Sequence, residues 1–158
     1  MNVLVVFQSR LGSTESLALA AAVGAVQGRA NIRLRWLQDA EVESSCKENR
    51  ERMEREYVAP RAADAEWADA ILAGMPGAFS ALSPEFVRYF ESLRAHGGVK
   101  AKFGAAFTSN SRALEQGFAA LGLAAISFEN HTDAREAARL QGRRVADACA
   151  RQARSNLV

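Results

Sequence analysis

Uninterrupted apolar runs alternate along this chain with stretches whose apolar residues recur every three or four positions. Residues 2–7, Asn-Val-Leu-Val-Val-Phe, are almost wholly apolar and rich in β-branched side chains, which predicts a strand buried on both faces of a parallel sheet. From 14 to about 27 helix formers take over, with Leu17, Ala20, Ala21 and Gly24 on or near one face. Ile32, Leu34 and Trp36 then alternate with Arg33, Arg35 and Leu37, the pattern of a strand nearer a sheet edge. Residues 46–57 mix both charge signs at helical spacing and read as a short solvated helix or irregular segment before Pro60.

The rhythm then repeats. Residues 67–74 predict a third strand entering a Gly-Met-Pro-Gly turn. The next helix is expected to take Ser83 as its cap, Pro84 at its first position and Glu85 in its first turn, with Phe86, Val87, Phe90 and Leu93 inward. Residues 103–108 form a fourth apolar run, ending in Ser109-Asn110-Ser111, and a helix follows to about 122. A fifth strand is expected over 123–128, then a long helix from 133 to about 154 with Ala137, Ala138, Val145, Ala148 and Cys149 inward. Five strands alternating with helices predict one α/β domain over 1–158, a doubly wound parallel sheet with right-handed crossovers. Such sheets bind ligands beyond the carboxyl ends of their strands, where the strand order reverses. The turns after strands one, three and four are therefore the candidate site.

Composition narrows the classes. With 158 residues, 49% of them hydrophobic, the chain has enough apolar material for a sizeable core. A net charge of +2 and scattered arginines give no field that selects nucleic acid or a membrane surface. The opening apolar run is too short for a membrane span and has no basic segment before it, so a cytoplasmic protein is expected. Cys46 and Cys149 lack metal-type spacing and read as structural in a reduced compartment; no His/Cys/Asp cluster has the spacing of a metal site.

The turn Ser9-Arg10-Leu11-Gly12-Ser13-Thr14 joins a strand to a helix amino terminus, where unpaired N–H groups and the helix dipole favour an anion. Ser9, Ser13 and Thr14 add hydroxyls, and Gly12 permits a sharp path. No Lys follows the glycine, which disfavours a triphosphate loop, and no Gly-x-Gly-x-x-Gly is present. A single terminal phosphate suits the loop. Equally, Ser13 or Thr14 could serve only as a helix cap.

Residues 3–15 resemble the phosphate-binding start of the flavodoxin-like family, whose Ser-x-x-Gly-x-x-Glu turn is matched by Ser9, Gly12 and Glu15. The similarity is greatest to the FMN-dependent NAD(P)H:quinone oxidoreductases that resemble the tryptophan-repressor-binding protein. Residues 68–80, Ala-Asp-Ala-Ile-Leu-Ala-Gly-Met-Pro-Gly-Ala-Phe-Ser, are similar to the family segment that wraps the flavin ring and ribityl chain. Phe107-Thr108-Ser109-Asn110-Ser111 and Leu140-Gln141-Gly142 give weaker matches. The resemblance implies a sheet ordered 2-1-3-4-5 and FMN as cofactor. It implies NAD(P)H as co-substrate, a quinone or similar small acceptor, and assembly into a homodimer or homotetramer. Carried onto this chain, it assigns the phosphate to Ser9, Arg10, Leu11, Gly12, Ser13 and Thr14. The ribityl and ring fall to Pro76, Gly77, Ala78, Phe79 and Ser80, with Ser109, Asn110 and Ser111 closing the other side. No side chain need act as acid or base.

The chain also departs from that pattern. Gly77 and Ala78 replace a Thr and an Arg, Ser80 replaces a Gly, the fourth loop is short of a glycine cluster, and an insertion bearing a histidine has no counterpart. Two other readings follow: a flavodoxin-type electron carrier, or a cofactor-free binding or regulatory module. Phe79 reads either as a flavin neighbour or as a core plug. His131, after the fifth strand, stands on the ligand-bearing edge and reads as a surface or capping residue or as a ligand contact. The segment from Lys47 to Arg61 reads as a solvated face or a subunit contact, His96 as solvated, and Trp36 and Trp67 as packing residues.

Overall fold

The computed structural model of the chain describes residues 1–39, 46–97, 99 and 101–158. The first unit is β1 (Asn2–Phe7), α1 (Ser13–Gln27) and β2 (Asn31–Trp36). Two helices follow, α2 (Lys47–Glu56) and α3 (Ala62–Trp67), before β3 (Ala70–Gly74) and α4 (Pro84–Ala95). The chain then runs through β4 (Phe103–Ala106), α5 (Ser111–Ala120), β5 (Ala124–Ile126) and α6 (Ala134–Ser155). All paired strands are parallel and lie in the order β2-β1-β3-β4-β5, as the resemblance implied.

Because side chains on a strand alternate between faces, β1 feeds two cores. Val3, Val5 and Phe7 pack with Ala18, Ala21 and Ala25 of α1 and with Ala138, Val145 and Cys149 of α6. Leu4 and Val6 pack on the other face with Ala65 of α3, Phe86 and Phe90 of α4, and Leu114 and Phe118 of α5. Each large side chain buried there contributes on the order of 2 kcal/mol by leaving water. Ser83 caps α4, its Oγ accepting the Phe86 N–H at 3.2 Å, with Pro84 at the first helical position.

Four expectations are corrected. Trp67 ends a helix rather than starting a strand: Asp64, held by the Arg61 amide at 2.9 Å and by Arg33 and Arg35, nucleates α3, and β3 begins three residues later. Val87 is 40% exposed, because the inward stripe of α4 is Phe86, Tyr89, Phe90 and Leu93, and Val87 lies one residue off it. Strand β5 spans three residues, shorter than the apolar run suggested. The charged segment is not simply solvated: Met53 of α2 is fully buried in the core under β1 and β2.

Helices α1 and α6 approach until their backbones touch. A Cβ on Gly24 would stand 1.8 Å from the Arg139 carbonyl oxygen, and one on Gly142 1.9 Å from that of Ala21. No side chain fits between them. Both cysteines are buried, and burial pushes the Cys149 thiol up to about 11, so it stays protonated and unreactive. The Gly142→Ala variant is expected to lose about 1–3 kcal/mol of stability through overpacking. Urea unfolding measures this, and an unchanged midpoint would mean that the two helices separate freely.

Candidate functional site

The strand order reverses between β1 and β3, so the loops leaving their carboxyl ends diverge and open a cleft. Sequence chemistry and topology meet at the first of these loops. Gly12 holds φ at 93°, a left-handed conformation that a side chain would strain. Ser9 is buried, and its Oγ accepts the N–H groups of Gly12 at 3.2 Å and Glu15 at 3.3 Å. Its oxygen therefore folds the turn, leaving its own proton to donate. Among the described residues the amides of Leu11, Ser13 and Thr14 have no acceptor, as expected at a helix start. Leu11 and Ser13 are exposed, while Thr14 is almost fully buried.

Arg10 turns aside from these amides. Its guanidinium lies 5.2 Å over the Phe79 ring, and its Nε donates to Asp39 at 2.5 Å. Beneath the turn, Glu15 receives Arg52 through both oxygens, at 2.6 and 3.0 Å, and the Tyr57 hydroxyl at 2.5 Å. The bonds from Arg52 hold the Glu15 carboxyl below its ordinary range, against the opposing effect of burial. Burial and that carboxylate push the Tyr57 phenol above its usual range, so it remains a donor. Asn49 donates to the Arg10 carbonyl at 2.8 Å, and the Tyr57 ring meets Phe7 edge-on at 5.0 Å. Helix α2 thus braces the turn between β1 and α1 from below. The available signal was Glu15 itself, an acid inside an apolar helix that had to find a cation.

The second loop carries Pro76 to Ser80, closed by a Phe79 N–H bond to the Pro76 carbonyl at 3.1 Å. Gly77, Ala78 and Ser80 are exposed, and among the described residues their amides have no acceptor. The third loop reaches across to it. Asn110 gives both amide hydrogens to this neighbour, to the Pro76 and Phe79 carbonyls at 2.9 Å each, and accepts from the Thr108 hydroxyl at 2.7 Å. Asn110 is therefore a strap between loops, while Ser109 is exposed beside it and Ser111 opens α5 half-buried.

A cleft of about 200 Å³ runs from Ser13 and Thr14 past Gly77, Thr108 and Ser109 to Asn130 and His131. The last two come from the loop after β5. No Lys, Arg, Asp or Glu among the described residues lines it. A wider groove of about 520 Å³ lies beyond Ser80, with Leu82 and Gly117 in its wall and Arg112 beside them. The remaining titratable candidates sit elsewhere: Asp69 binds the Asn2 amide at the opposite sheet edge, and His96 ends α4 in solvent. Trp36 is buried, and Trp67 lies half-buried under the Arg33 guanidinium. Among the described residues no group of three or more His, Cys, Asp or Glu is placed to hold a metal ion, and no helix is long and apolar enough to cross a membrane.

No protein-family model matches the chain. Among solved structures it is similar to a flavodoxin from the domain Archaea, with 13% identity, 94% of this chain and 99% of that one covered, and a TM-score of 0.64. A WrbA-like flavodoxin from Agrobacterium tumefaciens shares 22% identity over 95% of this chain and 98% of its own, with a TM-score of 0.58. An NADH:FMN oxidoreductase in its apo form shares 11% over 94% and 90%, with a TM-score of 0.57. The chain has the flavodoxin-like fold.

The low-lying Glu15 carboxyl has a consequence for pH. Its charge stabilises the fold above the carboxylate's unfolded value, and that contribution disappears as protons bind. Between about pH 6 and about pH 3 the wild type is expected to lose stability more steeply than Glu15→Gln, as read from urea midpoints. Parallel curves would place the charge outside the folding balance.

Proposed function

We propose that the protein binds FMN and passes reducing equivalents from NAD(P)H to quinones or similar small acceptors. The observation that carries this reading is the start of α1: three amides without acceptors and the Thr14 hydroxyl, gathered where the strand order reverses. That donor set fits a terminal phosphate. The ring end also fits, since a Cβ on Gly77 would meet nothing within 4 Å and the open amides of Gly77, Ala78 and Ser80 offer donors for a ring edge. The similar proteins described as a WrbA-like flavodoxin and an NADH:FMN oxidoreductase support the same class.

In this reading Leu11, Ser13 and Thr14 hold the phosphate through their amides, helped by the hydroxyls of Ser9, Ser13 and Thr14. Pro76, Gly77, Ala78, Phe79 and Ser80 border the ring, and Ser109 and Ser111 stand on its far side. Asn110 fixes the distance between the two ring loops. Arg10 keeps Phe79 in place rather than meeting the phosphate. When bound, FMN supplies the hydride and electron chemistry, so the chain's own task is to bind, orient and exclude water. A homodimer or homotetramer in the cytoplasm completes the proposal.

The test is a titration of the purified protein with FMN, followed by flavin fluorescence and melting temperature. At a hundred times its dissociation constant FMN should add about 2.7 kcal/mol of apparent stability. Thr14→Ala is expected to weaken FMN about tenfold and riboflavin, which lacks the phosphate, hardly at all. NAD(P)H oxidation with a quinone should follow. Binding without turnover would leave an electron carrier, and no thermal shift at high FMN would leave a cofactor-free module.

A further inference from the structure

The cleft between α1 and the loop after β5 has an apolar floor, with Leu17, Met75, Phe107 and Phe128, and hydrogen-bond donors on its two walls. Ser13 and Thr14 bring two amides that no described residue accepts. Thr14 is 3% exposed and lines the cleft, and its hydroxyl has no partner among the described residues. Facing the cleft, that hydroxyl is left for a ligand or water to meet.

His131 faces the same space from the other wall. The orientation of its ring is set by its own chain, since the Asp133 amide donates to Nδ1 at 3.1 Å. In the neutral ring an accepting Nδ1 places the hydrogen on Nε2. That N–H has no acceptor among the described residues, so the ring brings one more donor to a site already rich in them. We propose that His131 is a phosphate-binding residue whose Nε2–H completes, with the Ser13 and Thr14 amides and the Thr14 hydroxyl, a cradle for a phosphate monoester. The FMN reading above supplies the identity of that monoester; the donor cradle stands without it.

The surrounding charges permit this. Asp133 turns its carboxylate back onto the Arg135 and Glu136 amides as the cap of α6. Glu136 is paired with Arg139, and Glu129 with Arg144 at 2.7 Å. On α5 the Glu115 carboxylate accepts the Phe128 amide at 3.2 Å. From α1 the residues lining the cleft are Ser13, Thr14 and Leu17, none of them charged. Every nearby acid has its own partner.

The experiment compares FMN and riboflavin binding by fluorescence in the wild type and in His131→Ala. FMN is expected to bind the variant about tenfold more weakly, while riboflavin is unaffected. Equal FMN affinities for the two proteins would overturn the proposal. So would an equal loss for riboflavin, which would assign His131 to packing. Inorganic phosphate separates this proposal from the flavin reading. If neither flavin binds, phosphate-induced NMR shifts of the His131 ring and of the Ser13 and Thr14 amides still support the cradle, and their absence refutes it.

Discussion

The contact on which the site's geometry depends is made by two glycines far from it. Gly24 and Gly142 let the backbones of α1 and α6 meet with no side chain between them. Each helix follows a strand, α1 after β1 and α6 after β5, and they lie on the same face of the sheet, so both start at the carboxyl edge of the strands. Their close approach therefore sets how far Ser13 and Thr14 stand from the loop holding Asn130 and His131. Ala18, Ala21, Ala138 and Ala146 continue the same small-residue seam. A bulkier seam would widen the cleft before changing any residue in it.

The turn itself combines two electrostatic demands that conflict. An acid in the first turn of a helix favours the helix dipole, yet it would repel an anion bound at the same amides. Glu15 meets the first demand and escapes the second, because it is buried below the turn and neutralised by Arg52 with Tyr57 donating to it. Helix α2 thereby acts on the site without lining it. The strap from Asn110 does comparable work between the second and third loops, where it spends polar atoms on geometry that a residue-by-residue comparison would assign to ligand contact.

How far the sequence could be read follows from which forces are local. Strands β1, β3 and β4 are buried on both faces, so their apolar runs are unbroken and mark them plainly. The cap and first proline of α4 are equally local signals. Helix α3 escaped because its stability comes from Arg33 and Arg35, some thirty positions away, reaching Asp64. The role of α2 was hidden for the same reason: its composition reads as solvated, and only the fold brings Met53 into the core and Arg52 under Glu15. Val87 shows the limit of composition on a known helix, since one residue of phase separates the core from water. At the candidate site, the turn between β1 and α1 was legible in Ser9 and Gly12, whereas the wall formed by Asn130 and His131 depends on how α6 docks.

The margins of the sheet limit how a further strand can add to it. On one side β2 carries Arg33 and Arg35, both tied to Asp64, and its outer edge is already bridged by Val58, whose carbonyl accepts the Trp36 amide at 3.0 Å. On the other, β5 offers only three residues of ladder. Strand addition therefore finds a blocked or very short template at either margin. The outer side of α1 presents Leu19, Val23 and Val26 to solvent at helical spacing. The small-residue seam that positions the cleft thus leaves the larger apolar side chains of the same helix facing outward.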